Sequence, residues 1–259
     1  MSKNLAIAFI GNNIFYHLGV IKAIDQYSMY NKFNAVSGIG LGSLSAIMFA
    51  KENYKLFKEL STLINNTKRT YIEKNEIYNI LNMHILDKSL NEKIYIWSKK
   101  ISKEGMINWS DMLKIINHKY ISIDNSHFRM NCYLVCYELP FMKKSVFKLN
   151  ECDNDYIHKV ILNSVAEPVI FNNKVKSKSF ITGDINTKLS IEALKDNNYK
   201  SILIVDSDNM KIEYKSEHLK DLYVGNFNNK IICDTSEKYI ERAYEDGINI
   251  IKNALRNTA

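Results

Sequence analysis

The amino-acid sequence predicts a three-layer α/β fold built around a mostly parallel central sheet. The apolar run Leu5–Ile10 is continuous, which is typical of a strand buried on both faces. Residues 13–27 then show apolar side chains at helical spacing, and a short strand at 33–36 is followed by a second helix. Because strand–helix–strand order needs a crossover between parallel strands, the first 50 residues predict a βαβ unit.

The rest of the chain continues with strands and helices. Further strands are predicted at 133–137, 180–181 and 201–205. Helices are predicted over 157–165, with Asp153 or Asp155 as the capping residue, and over about 236–254. Residues 53–127 have a mostly amphipathic, helical pattern.

Composition indicates one compact domain over residues 1–259. Hydrophobic residues make up 46% of the chain, which is enough for a full core. Only two prolines occur, and no stretch rich in proline, glycine or serine marks a linker between domains.

The net charge of +7 does not indicate nucleic-acid binding. Of 35 basic residues only four are arginines, namely Arg69, Arg129, Arg242 and Arg256. Arginine is the residue favoured for bidentate recognition of phosphates and bases, and the lysines are scattered. We therefore expect no nucleic-acid partner.

Neither a metal site nor a disulfide framework is predicted. The four cysteines form no Cys-x-x-Cys pair, and Cys132 and Cys136 fit one face of a buried strand as core thiols. The six histidines lack His-x-x-x-His spacing, so no metal or cofactor is expected. Residues 5–10 are too short for a signal-peptide core, and no apolar run approaches the roughly 18 residues that span a bilayer. A cytoplasmic location is expected, with peripheral contact to a membrane left open.

Three of the nine glycines lie within five residues, at a turn from a strand into a helix: Gly38, Gly40 and Gly42. Such a turn serves as a phosphate cradle, as a nucleophile elbow of the form Gly-x-Ser-x-Gly, or as a plain glycine turn. A dinucleotide-binding fingerprint would need glycine where Ser43 stands, and no Gly-Lys-Ser/Thr triplet follows. The phosphate alternative is therefore the weak one.

Residues 36–46 resemble the nucleophile-elbow segment of the patatin-like phospholipases. Gly38 and Gly42 match the flanking glycines, and the position of the family's catalytic serine falls on Gly40. The resemblance covers about residues 5–55 and 130–210. It implies a patatin-like α/β/α fold with a variable, mostly helical insertion at about 55–127.

Three further segments resemble the same family in the same order. Residues 17–24 resemble its first helix, and residues 161–168 resemble the helix and proline turn ahead of its catalytic aspartate, whose position falls on Thr182. The family's glycine-rich oxyanion loop corresponds to residues 9–14. Of the loop residues Gly11, Asn12 and Asn13, only the first keeps a family glycine, and Asn13 stands in place of an arginine.

The resemblance implies an enzyme that has lost its Ser–Asp dyad. Glycine at position 40 has no side chain to form an acyl-enzyme, and the hydroxyl of Thr182 does not ionise near neutral pH. We expect a pseudoenzyme that binds a lipid or acyl ligand, or a protein partner, through the former active-site cleft. Two alternatives stay open: an acyl hydrolase with a relocated site at Ser43 and Asp184, and a structural protein with a filled cleft.

Structural roles are predicted for the remaining polar residues near the turn. His17 lies on the first helix, where packing is the expected role, and Ser37 and Ser45 fit a turn and a helix. An elbow tip is strained for ordinary residues, and glycine relieves that strain. We therefore predict a backbone conformation at Gly40 that ordinary residues avoid.

Overall fold

The computed structural model of the protein describes most of the chain outside the predicted insertion. The described residues are 5–11, 13–59, 61–62, 127–138, 143–165, 180–182, 186, 188–216, 219–224 and 236–256. Residues 54–59 and 61–62 are helical, and the rest of the predicted helical insertion lies outside the described residues.

In the part of the chain that the structure describes, eight strands form one sheet. They are β1 (Leu5–Ile10), β2 (Phe33–Gly38), β3 (Asn131–Glu138), β4 (Lys143–Lys148), β5 (Phe180–Thr182), β6 (Ser201–Asp206), β7 (Lys211–Ser216) and β8 (Leu219–Val224). Their order is β4-β3-β2-β1-β6-β7-β8, and β5 pairs with β3. The four central strands, β3, β2, β1 and β6, are mutually parallel, whereas β4, β5, β7 and β8 pair antiparallel to their neighbours.

Helices cover both faces of this sheet. They are α1 (Ile14–Gln26), α2 (Gly42–Ala50), α3 (Asn154–Ser164), α4 (Lys188–Asp196) and α5 (Ser236–Arg256). Buried side chains of α1, α2, α3 and α5 share one apolar core with side chains of the central strands. Buried side chains of α4 form a second core with the alternate residues of those strands. The three-layer α/β arrangement with a parallel centre is the predicted fold.

Within the described residues the predicted strands and helices are confirmed, with corrections at the edges. The helix predicted over 157–165 begins at Asn154, so Asp155 lies inside it. Asp153 holds the N-cap position, but its side chain makes no capping hydrogen bond. Four elements, β4, β7, β8 and α4, were not predicted. Cys132 and Cys136 are both fully buried in β3, as expected of core thiols.

The crossing of α1 and α5 is close because both helices have glycine at the contact. A Cβ atom on Gly19 would lie 2.3 Å from the carbonyl oxygen of Ile240, and one on Gly247 would lie 2.9 Å from the Cβ of Ala23. Beside this contact the hydroxyl of Tyr16 donates to Asp246 at 3.1 Å. The last helix is thus fixed against the first.

None of the helices in the described part of the chain is both long and apolar enough to cross a bilayer.

Candidate functional site

The glycine cluster forms a tight turn between the carboxyl end of β2 and the start of α2. At its tip Gly40 has a φ of +58°, the left-handed conformation that the sequence predicted. The carbonyl of Gly40 accepts a hydrogen bond from the Ser43 amide at 3.0 Å, and that of Leu41 accepts one from the Leu44 amide at 3.1 Å. The turn therefore has the geometry of an elbow, with glycine where a nucleophile would stand.

The flanking glycines are required by close contacts. A Cβ on Gly38 would lie 2.4 Å from the carbonyl oxygen of Gly42, and a Cβ on Gly42 would lie 2.4 Å from that of Phe9. Real Cβ atoms do not approach backbone so closely. Glycine at both positions allows the first turn of α2 to pack directly on the ends of β1 and β2.

The elbow is buried on all sides. Ile39, Leu41 and Ser43 each have at most 1% of their surface exposed, and Gly40 is buried as well. Ile39 packs into the core on the α4 side of the sheet, whereas Leu41 packs into the core beneath α1 and α2. A nucleophile must be reached by its substrate, and this turn offers no exposed surface for that contact.

Ser43, the first fallback nucleophile, is fully buried in the first turn of α2. Its hydroxyl has no hydrogen-bond partner among the described residues, so no described carboxylate or imidazole is placed to activate it. Asp184, the partner proposed for it, lies outside the described residues, as does Asn12.

The backbone of Thr182 lies just past the end of β2, the strand that leads into the glycine turn. Gly38, the last residue of β2, pairs with Leu134 of β3, and Thr182 pairs with Cys136, two residues further along β3. Strand β4 is bonded to one edge of β3, so β5 must be bonded to the opposite edge of β3. That is the edge to which β2 is bonded as well. Position 182 therefore lies beside the elbow in the sheet.

The predicted oxyanion loop is held by the turn between β6 and β7. Gly11 has a φ of +90°, and a Cβ there would lie 2.6 Å from the carboxyl carbon of Asp208. The backbone amide of Asn13 donates to the hydroxyl of Ser207 at 3.0 Å, and the amide of Ser207 donates to the carbonyl of Ile10 at 2.9 Å. The Asn13 amide is thus already bonded within the protein. An oxyanion site needs such amides free to donate to the substrate.

The side chain of Asn13 is engaged as well. It occupies the N-cap position of α1 and accepts a hydrogen bond from the amide of Tyr16 at 3.3 Å. Asn13 therefore marks the start of α1.

His17 has hydrogen-bond partners as well as the packing role that the sequence predicted. Its Nδ1 lies 2.8 Å from the hydroxyl of Ser45, and its Nε2 lies 2.9 Å from the carbonyl oxygen of Ile10. The ring is fully buried, and this burial lowers the pKa of His17 to about 4. A hydroxyl bonded to an imidazole is the geometry of an activated nucleophile, but Ser45 is also fully buried and out of reach of a substrate.

Sequence reasoning missed the roles of two other serines. Ser37 lies in β2 and its hydroxyl donates to the backbone carbonyl of Ser190 in α4 at 2.9 Å. Ser207, which holds the loop, is 2% exposed. The position of Ser207 directly after an apolar strand, ahead of Asp208 and Asn209, was a turn signal. No signal in the sequence identified its partner 194 residues away.

Comparison with known proteins gives remote structural similarity. The chain is similar to VipD from Legionella pneumophila with a TM-score of 0.43 and 10% identity, over 97% of this chain and 67% of that chain. It is similar to the type III effector protein ExoU with a TM-score of 0.37 and 11% identity, over 96% of this chain and 52% of that chain, about half its length. No protein-family model and no curated protein matches the chain.

Proposed function

We propose that the protein is a degenerate, non-catalytic relative of the patatin-like acyl hydrolases and acts by binding instead of hydrolysis. The observation that carries the proposal is Gly40, which lies at the tip of an elbow turn with a φ of +58°. An acyl-enzyme requires an oxygen or sulfur nucleophile at that tip, and glycine supplies none. Because glycine adopts this conformation with little strain, the turn persists without its chemistry.

The loop at the end of β1 supports the proposal independently of Gly40. Its Asn13 amide is bonded to Ser207 and its Asn13 side chain caps α1. Removing one donor from an oxyanion hole typically costs about 10²–10³ in rate, so a loop engaged in this way is a poor stabiliser of a tetrahedral intermediate. The nucleophile position and the oxyanion position are both altered.

The burial of the elbow favours a protein partner over an acyl ligand at the former cleft. An acyl chain would need a channel ending at Gly40, whereas Gly40, Leu41 and Ser43 are buried. In this proposal the α/β domain is a scaffold that presents its surface to another protein. A lipid ligand, or peripheral contact with a membrane, is the competing form of the same proposal.

Hydrolysis assays test the proposal directly. Purified protein is incubated with short-chain p-nitrophenyl esters and with phospholipid vesicles, beside Ser43→Ala as the matched variant. We expect no turnover above the buffer blank from either protein. Turnover that disappears in Ser43→Ala would overturn the proposal and support a relocated site.

Binding of a fluorescent fatty acid to the same preparation distinguishes the protein-binding form of the proposal from the lipid-binding form. We expect no saturable binding of the fatty acid, because the elbow at Gly40 is buried. Saturable binding at one site per chain would support the acyl-binding form instead.

A further inference from the structure

A continuous chain of hydrogen bonds, fully buried at His17 and partly buried at Asn13, joins the helix α2 to the residues that follow β1. Ser45 on α2 bonds to Nδ1 of His17, and Nε2 of His17 bonds to the carbonyl of Ile10. The same carbonyl accepts the amide of Ser207, whose hydroxyl accepts the amide of Asn13. His17 is the link in this chain through which α2 is connected to β1 and to the loop.

The partners of His17 determine its tautomer. A carbonyl oxygen only accepts, so Nε2 carries the hydrogen that it shares with Ile10. In the neutral ring Nδ1 is then unprotonated and accepts the hydroxyl hydrogen of Ser45. Protonation at Nδ1 would displace that hydrogen, and Ser45 would need a new acceptor in a place where its side chain is fully buried.

The surroundings of His17 disfavour the charged ring. On the β1 side, the imidazole faces the Phe9 ring, whose centroid lies 5.2 Å from that of His17, and the carbonyl of Ile10. On the α2 side it faces the hydroxyl of Ser45. No charged side chain in the described residues is among the causes that shift its pKa. His17 and Ser45 are both the fourth residue of their helices, close to the positive ends of two helix dipoles.

We propose that His17 is a pH-sensitive clasp, which holds α2 on β1 through Ser45 while neutral and releases α2 when it is protonated. Release separates the first turn of α2 from β1 and exposes the elbow at Gly40. The clasp is a conformational device of the fold and does not depend on the absence of hydrolysis. It identifies acidification as the condition under which the buried elbow becomes accessible to a partner.

The expected size of the effect follows from linkage. Burial lowers the pKa of His17 from 6.5 to about 4, and an opened clasp returns the ring to its ordinary pKa. The ratio of open to closed molecules therefore rises as the pH falls through this window. Between pH 7 and pH 4 the rise is about 100-fold.

Hydrogen exchange of the full chain, measured by mass spectrometry from pH 7 to pH 4, tests the clasp. Protection factors corrected for the intrinsic rate are followed in peptides covering 9–18 and 36–46, with a peptide from β6 as the internal reference. The matched variant is His17→Gln, whose amide can donate to Ile10 and accept from Ser45 but does not titrate. From pH 7 to pH 4 we expect the protection factors of peptides 9–18 and 36–46 to fall by about 100-fold in the unmodified protein and to stay constant in His17→Gln.

Two results of this exchange experiment would overturn the proposal. One is the same pH dependence in His17→Gln as in the original protein. The other is an equal loss of protection in the β6 peptide, which would make His17 a part of the core that opens only on global unfolding. A titration of the His17 ring by NMR needs no variant, and an ordinary pKa there would also contradict the clasp.

Discussion

The backbone amide of Asn13 donates a hydrogen bond to the hydroxyl of Ser207, 194 residues later in the chain, at 3.0 Å. This bond fastens the loop after β1 to the turn after β6, two parallel strands that lie side by side. The Asn13 amide is therefore held by the turn between β6 and β7 and has a partner within the protein.

Ser207→Ala should therefore release the loop. The variant leaves the partly buried Asn13 amide without its acceptor, and we expect it to lower the free energy of unfolding by about 1 kcal/mol. Denaturant unfolding gives the stability, and hydrogen exchange at Asn13 gives the local effect. Asn209→Ala is the matched control in the same turn, since its exposed bonds to Asp206 should contribute little. Equal stability of Ser207→Ala and the original protein would show that the bond does not hold the loop.

The elbow glycines should differ in their tolerance of a side chain. Gly40 has a φ of +58°, which strains ordinary residues, so Gly40→Ser should cost about 1 kcal/mol or more. Gly42→Ala should cost more, because its Cβ would lie 2.4 Å from the Phe9 carbonyl oxygen. Chemical denaturation of the two variants, with Gly40→Ala to separate backbone strain from the serine hydroxyl, ranks them. A fully stable Gly42→Ala protein would contradict the close packing of α2 on β1.

Restoring the dyad should not restore hydrolysis. Gly40→Ser with Thr182→Asp would supply both side chains at the positions that the sequence resemblance implies, but the Asn13 amide remains bonded to Ser207. We expect little esterase turnover from this double variant, because oxyanion donors are commonly worth about 10²–10³ in rate each. Adding a glycine-rich sequence at 9–14 together with Ser207→Ala should raise turnover above that of the double variant. Robust turnover by the double variant alone would place the whole loss of catalysis in the dyad.

The contact between α1 and α5 should depend on pH through Asp246. Burial raises the pKa of the Asp246 carboxyl, although Arg242 and the Tyr16 hydroxyl oppose the shift. Between the ordinary carboxyl pKa and the raised value, the folded chain holds a proton that the unfolded chain has released. The contribution of Asp246 to stability is therefore complete below the ordinary carboxyl pKa. It is lost as the pH rises through the raised value. Asp246→Asn should remove this dependence, whereas Glu241→Gln, at an exposed position of the same helix, should leave it intact. Thermal unfolding from pH 3 to pH 8 gives the comparison, and identical profiles for all three proteins would be against the assignment.

The sequence predicted the centre of the fold better than its edges. The strands β1 and β6 are continuous apolar runs because both of their faces are covered by helices, and such runs are recognisable in isolation. The outer strands β4, at one edge of the sheet, and β7, next to the other edge, are only partly buried where described and contain several lysines, so their apolar pattern is weak. Helix α4 buries only a few small or apolar residues, among them Ala193 and Leu194. Its helical spacing of apolar residues is therefore weak, and the sequence did not predict the helix.

The candidate site was predictable where it depends on local backbone. Three glycines in five residues specify a tight turn, and Gly40 has the predicted positive φ. The bonds of His17 to Ser45 and of Asn13 to Ser207 join residues 28 and 194 positions apart. Only the packing of the parallel strands and of α1 on α2 brings these groups together, so no local pattern encodes them.

Labelling with a fluorophosphonate probe, followed by peptide mapping, tests the central claim most directly. The probe forms a covalent bond only with an activated nucleophile, and the elbow of this protein has glycine at its tip. The account predicts no labelling above a heat-denatured control at any pH between 5 and 9. Stoichiometric labelling of a residue in the elbow, lost in Ser43→Ala, would contradict it.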